Sequence, residues 1–217
     1  MPNFIKNKPV LRLLLCSLSM LSATGCQSDY NNLPSGKTVW LKPNDTRLIF
    51  DVPELKRSKF RAQRYSSDTG NHIEEFGEWY RLNEGSIAGL ILSQSAEGPP
   101  LTDPQDPEDI AGRWAVFRNQ KPSFGILKKS NNVLGPILWR RAGIGARTCV
   151  VFLQRWSLLE KGLNRPAPIT SLSGYYCNTP GGAFPPALAE KAVKSIGLDQ
   201  KFQSILPNDQ KKAARGQ

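Results

Sequence analysis

Short apolar-rich runs, each closed by a turn signal, recur along the chain and constrain the fold more than any other feature. "KFRAQRYSS" (59–67) and "HIEEFGEWYRL" (72–82) flank "DTGN", and "NEG" separates the latter from "SIAGLILSQS" (86–95). Runs rich in β-branched and aromatic residues and bounded by Gly, Asn and Asp read as strands, and a turn-rich spacer between two of them reads as a hairpin. "TVWLK" (38–42) and "TRLIFDV" (46–52), separated by "PND", add two more. Residues 38–95 are therefore expected to form an antiparallel meander. A second group follows: "FGILKK" (124–129) and "VLGPILWRRAG" (133–143) bracket "SNN", and "ARTCVVFLQRW" (146–156) precedes a returning "TSLSGYYCN" (170–178) across the loop 158–168. Pro136 has no amide hydrogen, so its strand is expected at an edge or bulged there. The middle of 146–156 is apolar on both faces, which suits a central strand covered on both sides.

Two helical patterns interrupt the strands. "EGPPLTDPQDP" (97–107) breaks regular structure and ends in a helix start, with Asp106 as N-cap, Pro107 at the first helical position and Glu108 and Asp109 in the first turn. Ile110, Trp114 and Phe117 then fall on one helical face. Near the end, Leu188, Ala192, Val193 and Ile196 mark the buried face of a helix that starts at Pro185–Pro186 and is expected to stop at Gly197. The fold class is α+β: antiparallel hairpins and a β-meander, two helices packed on the sheet, and one disulfide, in a single domain over 38–198 followed by a basic polar tail, 199–217.

The disulfide follows from register. If Trp156 lies opposite Thr170 in the last hairpin, Cys149 lies opposite Cys177, seven residues further along both strands. Directly opposed residues bring their α-carbons within disulfide reach. A reactive or metal-binding pair is the rival reading; metal sites need more ligands, the spacing is not CxxC, and the only histidine is His72.

The first residues carry a different pattern. Lys6, Lys8 and Arg12 form a basic segment without acidic residues, Leu13 to Leu21 form an apolar core, and Ala23, Thr24 and Gly25 are small. This is the layout of a secretory signal peptide, with an apolar run too short for a bilayer, which needs roughly 20 residues. The small residues are followed by Cys26. "ATGC" resembles the lipobox of bacterial lipoproteins, with Ala23 where leucine is commonest. That resemblance implies cleavage before Cys26, acylation of its thiol, a lipidated tether over 26–37, and a cell-envelope address. Gln27, rather than Asp, after the cysteine implies the outer membrane, facing the periplasm, in a Gram-negative host. Cysteine arithmetic agrees: Cys16 leaves with the signal 1–25, and acylating Cys26 spares an odd thiol in an oxidising compartment. The alternative is general signal-peptidase cleavage and a secreted soluble protein.

Removing 1–25 takes 29 basic residues to 26 against 18 acidic ones, a net charge of +8. Such a balance suits anionic partners or a solvated basic surface. No nucleic-acid motif is present, and no nucleic-acid partner is expected. GxSxG, HExxH and phosphate-loop patterns are absent, "GIGAR" (143–147) is too short for a dinucleotide fingerprint, and no cofactor or metal is implied. His72, beside the "DTGN" turn, reads as an exposed residue. Glu74, Glu75 and Glu78 are the candidate carboxylates for a glycan hydrolase, with Glu74 and Glu78 on one strand face and Glu75 on the other.

The basic residues are the candidate anion-binding set: Lys128, Lys129, Arg140, Arg141, Arg147 and Arg155, with Trp139 as a flat contact for sugar rings. Adjacent residues on a strand point to opposite faces, so only part of this set can form one patch. The functional expectation is a non-enzymatic envelope lipoprotein that binds an envelope protein or an anionic polysaccharide, with the hydrolase as alternative.

Overall fold

A computed structural model describes residues 33–96, 105–118, 120–157 and 169–199. The signal segment, Cys26, most of the tether, the loop 158–168 and all but the first residue of the tail lie outside the described residues.

Both expected strand groups form, and they join edge to edge. β3 (Lys59–Ser67), β4 (His72–Arg81) and β5 (Gly85–Ser95) make one meander; β8 (Gly135–Ile144), β9 (Arg147–Ser157) and β10 (Ile169–Cys177) make the other. β5 and β10 pair antiparallel, with Leu92 opposite Leu172 and Leu90 opposite Gly174. With β1 (Gly36–Leu41) on β3, and β6 (Ser123–Phe124) and β7 (Lys128–Asn132) on β8, a nine-stranded sheet runs β1-β3-β4-β5-β10-β9-β8-β6, with β7 also on β8. Gly36 and Lys37, read as tether, already belong to β1.

The period-2 pattern explains the two cores. On one face Leu90, Leu92, Val150, Phe152, Trp156 and Leu172 pack beneath α3 (Pro186–Lys194) and a small two-stranded sheet of β2 (Leu48–Phe50) and β11 (Ile196–Leu198). On the other, Phe76, Ile91, Val151 and Tyr175 pack under Trp114 and Phe117. β9 is thus covered on both faces, as its double apolar pattern requires. Gly89 makes room for the Trp114 indole, which a β-carbon there would overlap.

Several expectations are corrected. β2 leaves the meander and pairs with β11, because Leu48 and Phe50 are buried in the α3-side core. The "SNN" turn is instead strand: β7 runs through Asn132, which pairs with Gly135, so Val133 and Leu134 make the turn. Leu134 is fully buried there, its carbonyl accepting from Trp156 Nε1 at 3.0 Å, so core packing overrides the polar turn signal.

The first helix splits into α1 (Pro107–Ala111) and α2 (Ala115–Arg118). Arg113 and Trp114 donate to carbonyls only three residues back, tightening the chain at Gly112, the residue with the most backbone freedom. Ile110, Trp114 and Phe117 are all buried nonetheless. α3 ends at Lys194, and Gly197 pairs with Ile49 in the small sheet instead of stopping the helix. Among the described residues the sheet therefore carries three short helices, not two. Pro136 faces β7 only, because the β8–β9 ladder starts at Leu138.

Cys149 and Cys177 are bonded, S–S 2.00 Å, in the expected register with Trp156 opposite Thr170. Among the described residues no helix is long and apolar enough to cross a membrane.

Candidate functional site

The three glutamates lie on β4, alternating as their spacing requires, and each is held by arginine. Glu75 is fully buried on the α3 face. It accepts from the Thr46 hydroxyl at 2.7 Å, from the Arg47 amide and side chain at 2.5 and 2.8 Å, and from Arg64 Nη2 at 2.9 Å. Glu78 takes both Nε and Nη2 of Arg61 at 2.7 and 2.5 Å. Glu74 accepts from Arg113 Nη2 at 2.7 Å and lies 3.5 Å from His72 Nε2. Burial alone would raise the Glu74 carboxyl; His72 and the Arg113 guanidinium outweigh it and hold the group at about 2. Burial likewise works against Glu75, but the Arg47 amide and guanidinium and the Thr46 hydroxyl leave it below the usual carboxylate range. A glycosidic general acid needs the opposite shift, upwards.

His72 is not exposed. It opens β4, is 6% accessible, and packs beside Tyr65 with ring centroids 6.0 Å apart. It lies opposite Ser95, two residues along β4 from a polar row that the register assembles across the sheet: Tyr65 opposite Glu74, Glu74 opposite Ser93, Ser93 opposite Ser171, Ser171 opposite Arg155.

The candidate basic set divides as the alternation requires. Arg140, Arg147 and Arg155 share the α1-side face, and Arg141 and Lys128 take the other. The three arginines meet protein oxygens. Arg140 grips Asp106 with Nε at 2.8 Å and Nη2 at 2.6 Å and donates to the Gly125 carbonyl at 2.9 Å. This pair lowers the Asp106 carboxyl and raises Arg140. Arg147 donates to the carbonyls of Ser86 and Glu84, and Arg155 to Gln105 Oε1 at 2.7 Å. Lys128 and Lys129 are exposed on β7. Trp139 is only 1% accessible; its Nε1 donates to Ser130 Oγ at 3.0 Å and Lys128 lies 5.3 Å from its ring centre. A face buried in the core cannot stack on a sugar, so Trp139 is a packing residue.

Among the described residues the exposed aromatic is Trp40, on β1. Trp40 is 69% accessible and Val39, on the opposite face, 41%. The Asp68 amide donates to the Ser35 carbonyl at 3.0 Å, and the ladder continues with Lys37 opposite Ser66, Val39 opposite Arg64 and Leu41 opposite Ala62. Hydrogen-bonded pairs alternate along an antiparallel ladder. Lys37, Val39 and Leu41 therefore turn their backbone groups to β3, and Gly36, Thr38 and Trp40 turn theirs outward. Among the described residues no strand pairs with that outer edge. Lys37 and Lys42 are exposed at its two ends, and no ion pair is formed by them among the described residues. Sequence reasoning missed this edge, because "TVWLK" reads like any half-buried strand.

No protein-family model matches the chain, and neither curated proteins nor solved structures show a significant similarity to it.

Proposed function

We propose that this chain is a lipid-anchored envelope protein, held at the periplasmic face through acylated Cys26, whose domain binds another envelope component without catalysing a reaction. The observation that carries the reading is the Cys149–Cys177 bond. Once the signal leaves with Cys16, that bond pairs two of the three remaining thiols and leaves Cys26, at the end of the lipobox-like stretch, as the odd one. Several acyl chains, at about 0.8 kcal/mol per buried methylene, give firm membrane attachment.

Support for a binding rather than catalytic role comes from the carboxylates. Glu74, Glu75 and Glu78 are each tied to arginine, and Glu74 and Glu75 are shifted down, away from acid catalysis. Arg140, Arg147 and Arg155 are engaged with protein oxygens, which favours a protein partner over an anionic polysaccharide at that face.

The test is the mass of the native N-terminal peptide, together with membrane fractionation of wild type and a Cys26→Ala variant. The reading expects a chain that begins at Cys26 with added acyl mass, and a variant released from the membrane. A chain that begins elsewhere, or a Cys26 without lipid, replaces it with a secreted soluble protein.

A further inference from the structure

The outward backbone groups of Gly36, Thr38 and Trp40 form a short edge unpaired among the described residues, with a large apolar side chain exposed on each side of it. Sheet proteins blunt free edges with charge, bulges or a covering element, since an open edge templates another strand. Here Lys37 and Lys42 bracket the strand, but Val39 and Trp40 remain exposed between them. Lysines at the ends with apolar side chains in the middle reject some strands and select others.

We infer that β1 is a strand-addition site for an extended acidic segment of a partner protein, apolar in its centre and flanked by Asp or Glu. This rests on the reading of the domain as a binding module. The partner strand adds to β1 by hydrogen bonds to Gly36, Thr38 and Trp40, extending the sheet beyond its present edge, as in other strand-addition complexes. Val39 and Trp40 supply one apolar contact on each face. The acidic flanks pair with Lys37 and Lys42.

Charge decides against a second copy of the chain as occupant. Two β1 strands side by side bring two sets of the same two lysines together, on molecules that are each strongly basic, and like charges across an interface oppose the pairing. The basic C-terminal tail, with Lys201, Lys211, Lys212 and Arg215, is excluded as occupant on the same ground.

The test is amide hydrogen exchange on the full mature chain, titrated with a short peptide that has an alternating valine–threonine centre and glutamates at both ends. A peptide with the same centre and lysine ends is the control. The glutamate-ended peptide is expected to slow exchange at Thr38 and Trp40 by about tenfold or more, leaving Val39 and Leu41, already bonded to β3, unchanged. Its affinity falls as salt rises. The lysine-ended peptide is expected to bind at least about tenfold more weakly.

Thr38→Pro removes one outward amide without touching the β3 ladder, as an edge position permits. It is expected to lose the response while Val39 and Leu41 stay protected. If that variant frays β1, the double variant Lys37→Glu, Lys42→Glu decides instead, since it must reverse the preference to the lysine-ended peptide. Unaltered exchange at Thr38 and Trp40 overturns the proposal, as does an equal response to both peptides. Concentration-dependent protection of those amides in the free chain assigns the edge to a second copy, and protection by anionic lipid vesicles alone assigns it to the membrane; either overturns it. The exchange assay reads β1 whether or not Cys26 is acylated, so its failure leaves the anchoring reading intact.

Discussion

Cys149 on β9 stands directly opposite Cys177 on β10, with α-carbons 3.9 Å apart and a disulfide between them. Both are buried in the core under Trp114 and Phe117. The bond closes a loop with a sequence separation of 28 residues, which in the chain-entropy model is worth about 3.5 kcal/mol. The variant with both cysteines changed to alanine should lose stability of that order in urea unfolding. Mass spectrometry without reductant should find no free thiol at either position.

Glu75 is the anchor of the most connected ion cluster, with no exposure and bonds to Thr46, Arg47 and Arg64. Removing its charge strands the Arg47 side chain, itself buried. Breaking a buried pair from one side costs about 3 to 5 kcal/mol. Glu75→Gln is therefore expected to lower the denaturation midpoint strongly. Replacement of Thr46, Arg47 and Glu75 together by apolar residues of similar size is expected to restore part of the loss.

Acid should act on the same region. The folded-state value of Glu74 is about 2, below its ordinary 4.5. A depressed carboxylate stabilises the fold above its unfolded value and loses that contribution as pH falls through the folded one. The expected window is pH 4.5 down to 2, with a loss of about 3 kcal/mol from this group, and Glu75 adds to it in the same direction. Urea midpoints measured at intervals across that window should fall steadily. In Glu74→Gln the slope should be shallower.

Asp106 has two tasks: its carboxylate accepts from the Glu108 amide at 2.8 Å and binds Arg140. Asp106→Ala loses both the cap and the pair, an expected cost of about 1 to 2 kcal/mol. Asp106→Asn keeps a good capping residue and loses only the charge, so its cost should be clearly smaller. Chemical denaturation of the two variants side by side checks the order.

Trp40 and Trp139 should respond in opposite ways. Trp139→Ala empties a core position and is expected to cost about 3 to 5 kcal/mol. Trp40→Ser, at a 69% exposed site, should stay within about 0.5 kcal/mol of wild type. The same variant should remove much of the tryptophan fluorescence accessible to acrylamide.

What the sequence determined by itself was local or covalent. Alternation of side chains, Gly and Asn at turns, and the Asp106–Pro107 start all act within a few residues, so β3, β4, β5, β9, β10 and the α1 cap were legible. The cysteine register was legible because one hairpin contains both residues. The small residues before Cys26 are likewise read from the chain alone.

Tertiary structure decided everything that depends on which strands become neighbours and which remain at an edge. Glu74 meets Arg113 across 39 residues and Glu75 meets Arg47 across 28, separations at which no pattern in the sequence pairs a carboxylate with its guanidinium. Leu134 became a turn residue because the core had room for its side chain, and Trp139 became core while Trp40 stayed outside. Two strands with the same local signal, "TVWLK" and "ILWRR", differ only in where the finished sheet places them. β8 lies between β9 and β7 under α3, and β1 lies last in the order. Burial is a property of the assembled sheet, so which apolar side chains stay exposed emerges only when the strand order is known.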